Sequence, residues 1–124
     1  MSEQIPNTLH ICVEILQSMK AEDLVMMDLR GISDFSDHFL ICTANSNPHA
    51  RALADAVHEG MKSAGHPPWH TEGYETRNWI LYDFVDLVVH IFQPEARSFY
   101  GLERLWGDAP TQNYEDQPDL IESA

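Results

Sequence analysis

The chain has 124 residues, a length that suits one domain, and 44% of them are hydrophobic, which excludes an intrinsically disordered protein. Its formal net charge at pH 7 is −13, from 20 acidic and 7 basic residues. Because this balance repels phosphate backbones and anionic lipid, it argues against nucleic-acid and membrane binding and favours a basic protein partner.

Two cysteines, Cys12 and Cys42, lie in apolar surroundings and outside any CxxC pair. This usage is typical of small core residues in a reducing compartment. The N-terminal stretch lacks a basic region followed by an apolar core, and no apolar run approaches the ~20 residues of a membrane span. The sequence therefore predicts a cytoplasmic protein.

The first third of the chain predicts one helix followed by two strands. Apolar residues recur at helical spacing over Thr8–Lys20, and Asn7 is suited to cap that helix. Leu24–Arg30 and His38–Thr43 are short apolar runs bounded by turn-forming residues, so we expect both to be strands.

The next segment carries the clearest start of a helix in the sequence. Asn47 can cap the helix, Pro48 can occupy its first turn, and Gly65 is suited to end it. Beyond a proline-rich linker, Trp69–Thr71 is a candidate for a short edge strand.

The stretch Trp79–Phe92 is the most strand-like part of the chain and the expected centre of a sheet. Fourteen residues are too many for one typical strand, so we interpret the stretch as two strands. Asp83 and Asp86 lie near its middle and indicate a turn, with a single bent strand as the alternative.

A third helix is predicted from Pro94 to Trp106, with Gly107 as its C-terminal cap. Its apolar arc is wide, and Glu103 lies inside it. We expect Phe99 and Leu102 to be core residues. The remaining aromatic residues either pack on a second side of the helix or stay available to a partner.

The elements in order predict a single α/β domain of the mixed α+β type over residues 1–110, with a four- to five-stranded mixed sheet flanked by helices. Residues 111–124 are acidic and poor in apolar side chains. We therefore expect a disordered tail, whose removal at Pro110 should leave the melting temperature nearly unchanged.

Two groups of side chains are candidates for a metal-binding or catalytic site, and neither matches a specific sequence motif for such a site. Asp83, Asp86 and His90, with Glu72, could hold a divalent ion, but Asp83 is expected to lie across a turn from the other two. His90 alone is more typical of a satisfied, partly buried histidine.

The second group is Ser46 with His49 and Asp37, which lacks the GxSxG pattern of a nucleophile. Ser46 also lies where a helix cap is expected. We predict no catalytic residue, no metal and no cofactor.

Long ordered parts of the sequence resemble one known family. They include Asp28-Leu29-Arg30, Glu72-Gly73, the run Asn78–Phe92, and Arg97–Ala109, which is similar to an RxFYxLExLWxDA ending. This pattern covers about Thr8–Pro110 and resembles the ribosomal silencing factors, also called Iojap-like proteins. Val85 stands where many relatives carry glycine.

The resemblance implies a compact α/β fold related in shape to nucleotidyltransferases, in proteins that are not known as enzymes. It also implies binding to a large-subunit ribosomal protein, the fourteenth of the L series, on the face that meets the small subunit. Occupying that face would block subunit joining and repress translation when nutrients are short. Some members of the family pair as homodimers.

On this interpretation two kinds of residue are candidates for binding a partner. The acidic candidates are Glu72, Asp83 and Asp86, and the aromatic candidates are Trp79, Tyr82, Tyr100 and Trp106. The rival hypothesis is a nucleotidyltransferase-like enzyme that uses Asp83 and Asp86 with magnesium. That chemistry also needs a cradle for phosphates, and the sequence has no glycine-rich loop with a nearby lysine.

Overall fold

A six-stranded mixed sheet organises the computed structural model, which describes residues 7–116. The helices are α1 (Asn7–Ser18), α2 (Asn47–Ser63), α3 (Pro94–Tyr100) and α4 (Leu102–Leu105). The strands are β1 (Glu22–Asp28), β2 (His38–Thr43), β3 (His70–Glu72), β4 (Trp79–Asp83), β5 (Leu87–Phe92) and β6 (Thr111–Asn113). Within these residues, no helix has the length and apolar character that crossing a bilayer requires.

The strands follow the order β3-β4-β5-β2-β1-β6, in which only β2 and β5 run parallel. The predicted mixed sheet is therefore confirmed, as are the two strands on either side of the turn between Asp83 and Leu87. The predicted count of four to five strands is too low, because β6 also pairs with the sheet.

Helices α1 and α2 cover one face of the sheet and enclose the larger core. Leu9, Cys12, Val13 and Leu16 recur at helical spacing and are buried. The buried residues of α2 follow the same rule: Ala50, Leu53, Ala54, Val57 and Met61. The cysteines are free and buried, and burial raises the pKa of both thiols, to about 12 for Cys42.

A smaller core lies on the opposite face of the sheet. Its buried members are Val25, Met27, Leu29, Ile41, Phe92 and Ala109. Ala96, Leu102 and Trp106, which belong to α3, α4 and the residue after α4, pack against this core. This cover lies over β1, β2 and the end of β5, whereas the side chains that β3 and β4 present on this face remain partly or fully exposed.

Several predicted boundaries differ from the structure by one or two residues, among them those of α1 and β3. β1 covers Glu22–Asp28 rather than Leu24–Arg30, because Leu29 leaves the strand and donates its N–H to the carbonyl of Asp37. The cap of α2 is Ser46 rather than Asn47, since the Ser46 hydroxyl accepts the N–H of His49 at 3.1 Å.

The predicted third helix is divided into α3 and α4 at Gly101. This glycine adopts φ 57°, a left-handed conformation, and its N–H donates to the carbonyl of Arg97. The predicted cap at Gly107 is wrong, because Trp106 caps α4. The prediction that Phe99 is a core residue is also wrong, since its side chain is 78% exposed.

The turn between β4 and β5 holds Val85 in a conformation that suits glycine. Val85 has φ 75°, and the N–H of Asp86 donates to the carbonyl of Phe84 at 3.0 Å. These features match the rare γ-turn with positive φ, which is strained for a β-branched residue. The Asp83 carboxylate accepts the Val85 N–H at 2.7 Å and helps to hold the turn.

We predict that Val85→Gly raises the free energy of unfolding by about 0.5–1 kcal/mol, because glycine relieves the left-handed strain and only part of that gain is lost to chain entropy. Val85→Ala is the matched control, since it keeps a Cβ and should gain less. Urea denaturation measures both. Equal stabilities for the glycine and alanine variants would contradict the prediction.

The prediction of a disordered tail from residue 111 is wrong for residues 111–116. β6 pairs with β1 in an antiparallel register, and Tyr114 packs against the larger core. The Asp116 carboxylate accepts the N–H of Asp23 at 3.0 Å. Local composition concealed this strand because its pairing partner lies far away in the sequence; residues 117–124 of the predicted tail lie outside the described residues.

We therefore expect truncation after Pro110 to destabilise the protein by about 2 kcal/mol, through lost strand pairing and lost burial of Tyr114. The melting temperature should fall by roughly 8 °C. A chain that ends at Asp116 is the matched reference, measured in parallel by calorimetry. Equal melting temperatures for the two truncations would show that β6 and Tyr114 contribute nothing.

Candidate partner-binding face

Strand alternation turns one set of side chains in β4 away from α1 and α2. Trp79, Leu81 and Asp83 share this orientation, while Ile80 and Tyr82 point into the larger core. Residues paired directly across antiparallel strands share a face, and Glu72 pairs with Leu81. We call this surface the open face, and it consists of Phe39, Glu72, Trp79, Leu81, Asp83, Val88 and Tyr100.

Trp79 lies at the centre of an aromatic cluster on the open face. Its ring centroid is 4.5 Å from that of Tyr100 and 4.9 Å from that of Phe92. Its indole N–H donates to Nδ1 of His90 at 3.0 Å. Because the side chain remains partly exposed, the cluster fixes Trp79 and still leaves part of it accessible to a partner.

His90 lies beneath this cluster and is 3% exposed. Burial lowers the pKa of His90 to about 3, so the imidazole is neutral near pH 7. Nε2 has no hydrogen-bond partner among the described residues. The expectation of a satisfied, partly buried histidine is thus wrong on both counts, since His90 is buried and only Nδ1 is paired.

The acidic residues lie along the margin of the open face. Glu72 is exposed on the edge strand β3, with a carboxylate oxygen 2.6 Å from Nε2 of His70. Asp83 is partly exposed at the end of β4. Asp86 lies in the turn beyond the face, with an exposed side chain and a carbonyl that accepts the N–H groups of Asp37 and His38.

Tyr82 does not belong to this surface. Its side chain is 2% exposed and packs in the larger core, and burial raises the pKa of its hydroxyl to about 12. The sequence interpretation grouped it with Trp79 although Tyr82 follows Trp79 by three positions, an odd number, along the strand. Strand alternation puts the two rings on opposite faces, so we remove Tyr82 from the predicted set.

The other two aromatic candidates differ in exposure. Tyr100 is 50% exposed beside Trp79. Trp106 is partly buried against the smaller core, with its ring centroid 6.2 Å from that of Phe39. Tyr100 is therefore available to a partner, and Trp106 mainly supports the fold.

The sequence interpretation missed Leu81, Val88 and Phe39. Leu81 follows Trp79 by two residues, so the two-residue period of a strand was a sufficient signal for it. Val88 and Phe39 join the face through the pairing of β5 with β4 and β2. That pairing links distant segments and could not be inferred from local sequence.

Arg97 holds the two short helices against the sheet. Its guanidinium donates to both carboxylate oxygens of Glu103, at 3.1 and 3.0 Å. It also donates to the carbonyl of Asp23 and to the hydroxyl of Thr43, both at 2.8 Å. This pairing explains why an acidic residue lies within the apolar arc of the predicted helix.

The geometry gives no support to the two enzymatic alternatives. Asp83 on β4 and His90 on β5 lie on opposite sides of the turn, as predicted, but the expected difference in strand face is wrong, because both side chains lie on the same face of the sheet. Trp79 already occupies Nδ1 of His90. Residues 7–116 contain no group of three or more His, Cys, Asp or Glu side chains that could hold a metal ion.

The Ser46–His49 pair is likewise used for structure. Ser46 caps α2, and the two ring nitrogens of His49 contact the Asn45 N–H and the Met19 carbonyl. Asp37 precedes β2 whereas Ser46 follows it, which separates the two by the length of the strand. The absence of a catalytic role stays a prediction.

Comparison with known proteins identifies the family. The sequence pattern described as ribosomal silencing factor during starvation matches residues 2–124. The chain belongs to the ribosomal silencing factor family. The resemblance carried by the residues around Trp79 and by the Arg97–Ala109 ending is thereby confirmed.

Individual silencing factors match over most of their length. The protein named ribosomal silencing factor RsfS from Halalkalibacterium halodurans is 40% identical over 107 residues, 86% of this chain and 92% of the relative. Its namesake from Bacillus subtilis is 39% identical, over 82% of this chain and 86% of the relative. A crystal structure of a Chromobacterium violaceum protein superposes with a TM-score of 0.80 at 29% identity, covering 94% and 91% of the two chains.

These relatives also confirm the mixed α/β fold of a silencing factor. Their names describe a regulatory role rather than an enzymatic one. A shape related to nucleotidyltransferases stays a prediction.

The buried, neutral state of His90 predicts how the stability of this silencing factor depends on pH. An unfolded histidine titrates near 6.5, so between pH 6.5 and 3 the unfolded chain binds the proton that folded His90 excludes. Stability from this group is complete above pH 6.5 and decreases as the pH falls, by up to about 1.4 kcal/mol per pH unit.

We expect His90→Phe to remove this contribution, so that the free energy of unfolding falls less steeply between pH 6.5 and 4 than in the wild type. Urea titrations at several pH values measure the two slopes. Buried His38, whose pKa is also lowered by desolvation, contributes in the same direction to both proteins and cancels in the comparison. Parallel slopes would contradict the prediction.

Proposed function

We propose that this silencing factor binds the large ribosomal subunit through a basic ribosomal protein, the fourteenth of the L series, on the face that meets the small subunit. Bound there, it blocks the joining of the two subunits and represses translation under nutrient limitation. The observation that supports this proposal is the open face, where an accessible apolar strip is bordered by acidic side chains.

The apolar strip supplies the anchoring contacts of the proposed interface. Trp79 and Leu81 are partly exposed on one strand, and Tyr100 extends the strip from α3. Trp and Tyr are enriched among the few interface residues that carry most of the binding energy. Because Phe92 and His90 support Trp79 from below, little side-chain entropy would be lost on binding.

A groove beside the strip enlarges the proposed contact. It has a volume of about 670 Å³ and is lined by Asn78, Gln93, Pro94, Glu95, Ala96, Phe99 and Tyr100. Phe99 is 78% exposed at its wall. An apolar side chain of the partner could enter this groove while its neighbours contact Trp79.

The net negative charge of the chain favours a basic protein over RNA as the direct partner. The chain carries −13 at pH 7, and Glu72 and Asp83 lie on the margin of the open face. A surface of this sign repels phosphates but attracts Lys and Arg side chains, and the attraction accelerates association. The same charges should make binding weaker as the salt concentration rises.

We predict that Leu81→Ala and Tyr100→Ala each weaken binding to isolated large subunits about thirty-fold, the equivalent of roughly 2 kcal/mol for an anchoring residue. Co-sedimentation with large subunits, small subunits and joined ribosomes measures the binding, and subunit joining is followed in the same samples. Ile11→Ala is the matched control, because Ile11 is a partly buried aliphatic residue on α1, behind the sheet.

A charge-matched pair tests the acidic margin in the same assay. Glu72→Gln should slow association and reduce its salt dependence, whereas Glu59→Gln, an exposed change on α2, should do neither. If the folded Leu81 and Tyr100 variants block subunit joining at wild-type concentrations, the open face is not the interface. If the wild type binds no isolated large subunits, the proposed function is wrong.

A further inference from the structure

The indole of Trp79 is turned so that its N–H points into the protein. It donates to Nδ1 of His90, which is 3% exposed, and the indole ring contacts Phe92 and Tyr100. We propose that His90 is a positioning residue that holds this orientation, so that Trp79 meets its partner through ring carbon atoms alone. This inference rests on the proposed function and specifies the chemistry of the contact.

The hydrogen bond fixes the tautomer of His90. Because Nδ1 accepts the indole N–H, the proton of the neutral ring must be on Nε2. Nε2 has no hydrogen-bond partner among the described residues. The ring of Phe39 lies 4.5 Å from the imidazole in an edge-to-face arrangement, which offers the Nε2–H at most a weak aromatic contact.

The arrangement is stable because each alternative leaves a polar atom buried without a partner. If the indole turned outward, Nδ1 of His90 would lose its donor while remaining inside the protein. Tyr100 and Phe92 flank the indole and further restrict its rotation. A buried histidine with one unpaired nitrogen lowers the stability of a core, so its presence calls for a reason other than packing. Holding the orientation of Trp79 supplies that reason.

The inward N–H determines which partner groups suit the open face. A hydrogen-bond acceptor on the partner opposite Trp79 would find no donor there. The part of the partner's surface that best complements Trp79 is therefore aliphatic. The stems of Lys or Arg side chains meet this requirement, because they can pack along Trp79 and Leu81 while their charged ends reach Glu72 and Asp83. The inference thus explains how one strip can combine apolar and acidic residues toward a basic protein.

Two substitutions separate positioning from simple packing. His90→Phe keeps an aromatic ring of similar size but removes the acceptor, whereas His90→Asn places an amide oxygen close to the position of Nδ1. We expect the indole N–H of Trp79 to exchange slowly with solvent in the wild type, at least about tenfold faster in His90→Phe, and again slowly in His90→Asn. Nitrogen-15 NMR measures these rates, and the Trp79→Phe spectrum assigns the signal.

Binding to isolated large subunits provides the second measurement. We expect His90→Phe to weaken binding about tenfold while the protein remains folded, and His90→Asn to restore part of the affinity. His90→Leu serves as a second acceptor-free variant if His90→Phe does not fold. Exchange as slow in the acceptor-free variants as in the wild type would overturn the positioning role, whatever the proteins bind.

Unchanged affinity in a folded variant whose indole N–H exchanges rapidly would overturn the claim that this orientation serves the partner. Failure of the wild type to bind large subunits is a separate outcome. It would reject the proposed function and the partner contact at Trp79, and it is distinguishable because the exchange rates require no ribosome.

Discussion

The open face depends on how Arg97 fixes α3 and α4. This guanidinium joins α3 to Glu103 and to the ends of β1 and β2 through bonds of 2.8–3.1 Å. A planar group with five donors suits this role, since lysine could not bind both carboxylate oxygens and two further acceptors in one geometry. With the helices held over β1 and β2, the side chains that β3 and β4 present on this face are left uncovered, and Tyr100 is brought beside Trp79.

The alternation of side chains along β4 gives this short strand two structural roles. Ile80 and Tyr82 close the larger core under α2, while Trp79, Leu81 and Asp83 form much of the open face. A shift of one residue in the strand register would exchange these sets and bury a carboxylate. The register of β4 against β5, which pairs Trp79 with Phe92, therefore determines both the larger core and the composition of the open face.

The open face is built over a polar interior contact. The Trp79–His90 hydrogen bond satisfies a donor and an acceptor that lie close to the smaller core. In a site of low dielectric such a bond is stronger than in water, and breaking it leaves unpaired atoms. Under the proposed function, recognition would depend on the packing of the sheet as well as on exposed side chains.

The sequence by itself determined the α/β class, the main helices and strands, and the family, because these follow from local periodicity and a long ordered pattern. Tertiary structure decided the rest. β6 forms only by pairing with β1, Tyr82 is buried against α2, and Arg97 connects α3 to Asp23 and Thr43. These features depend on contacts between residues distant along the chain, which local propensity does not encode.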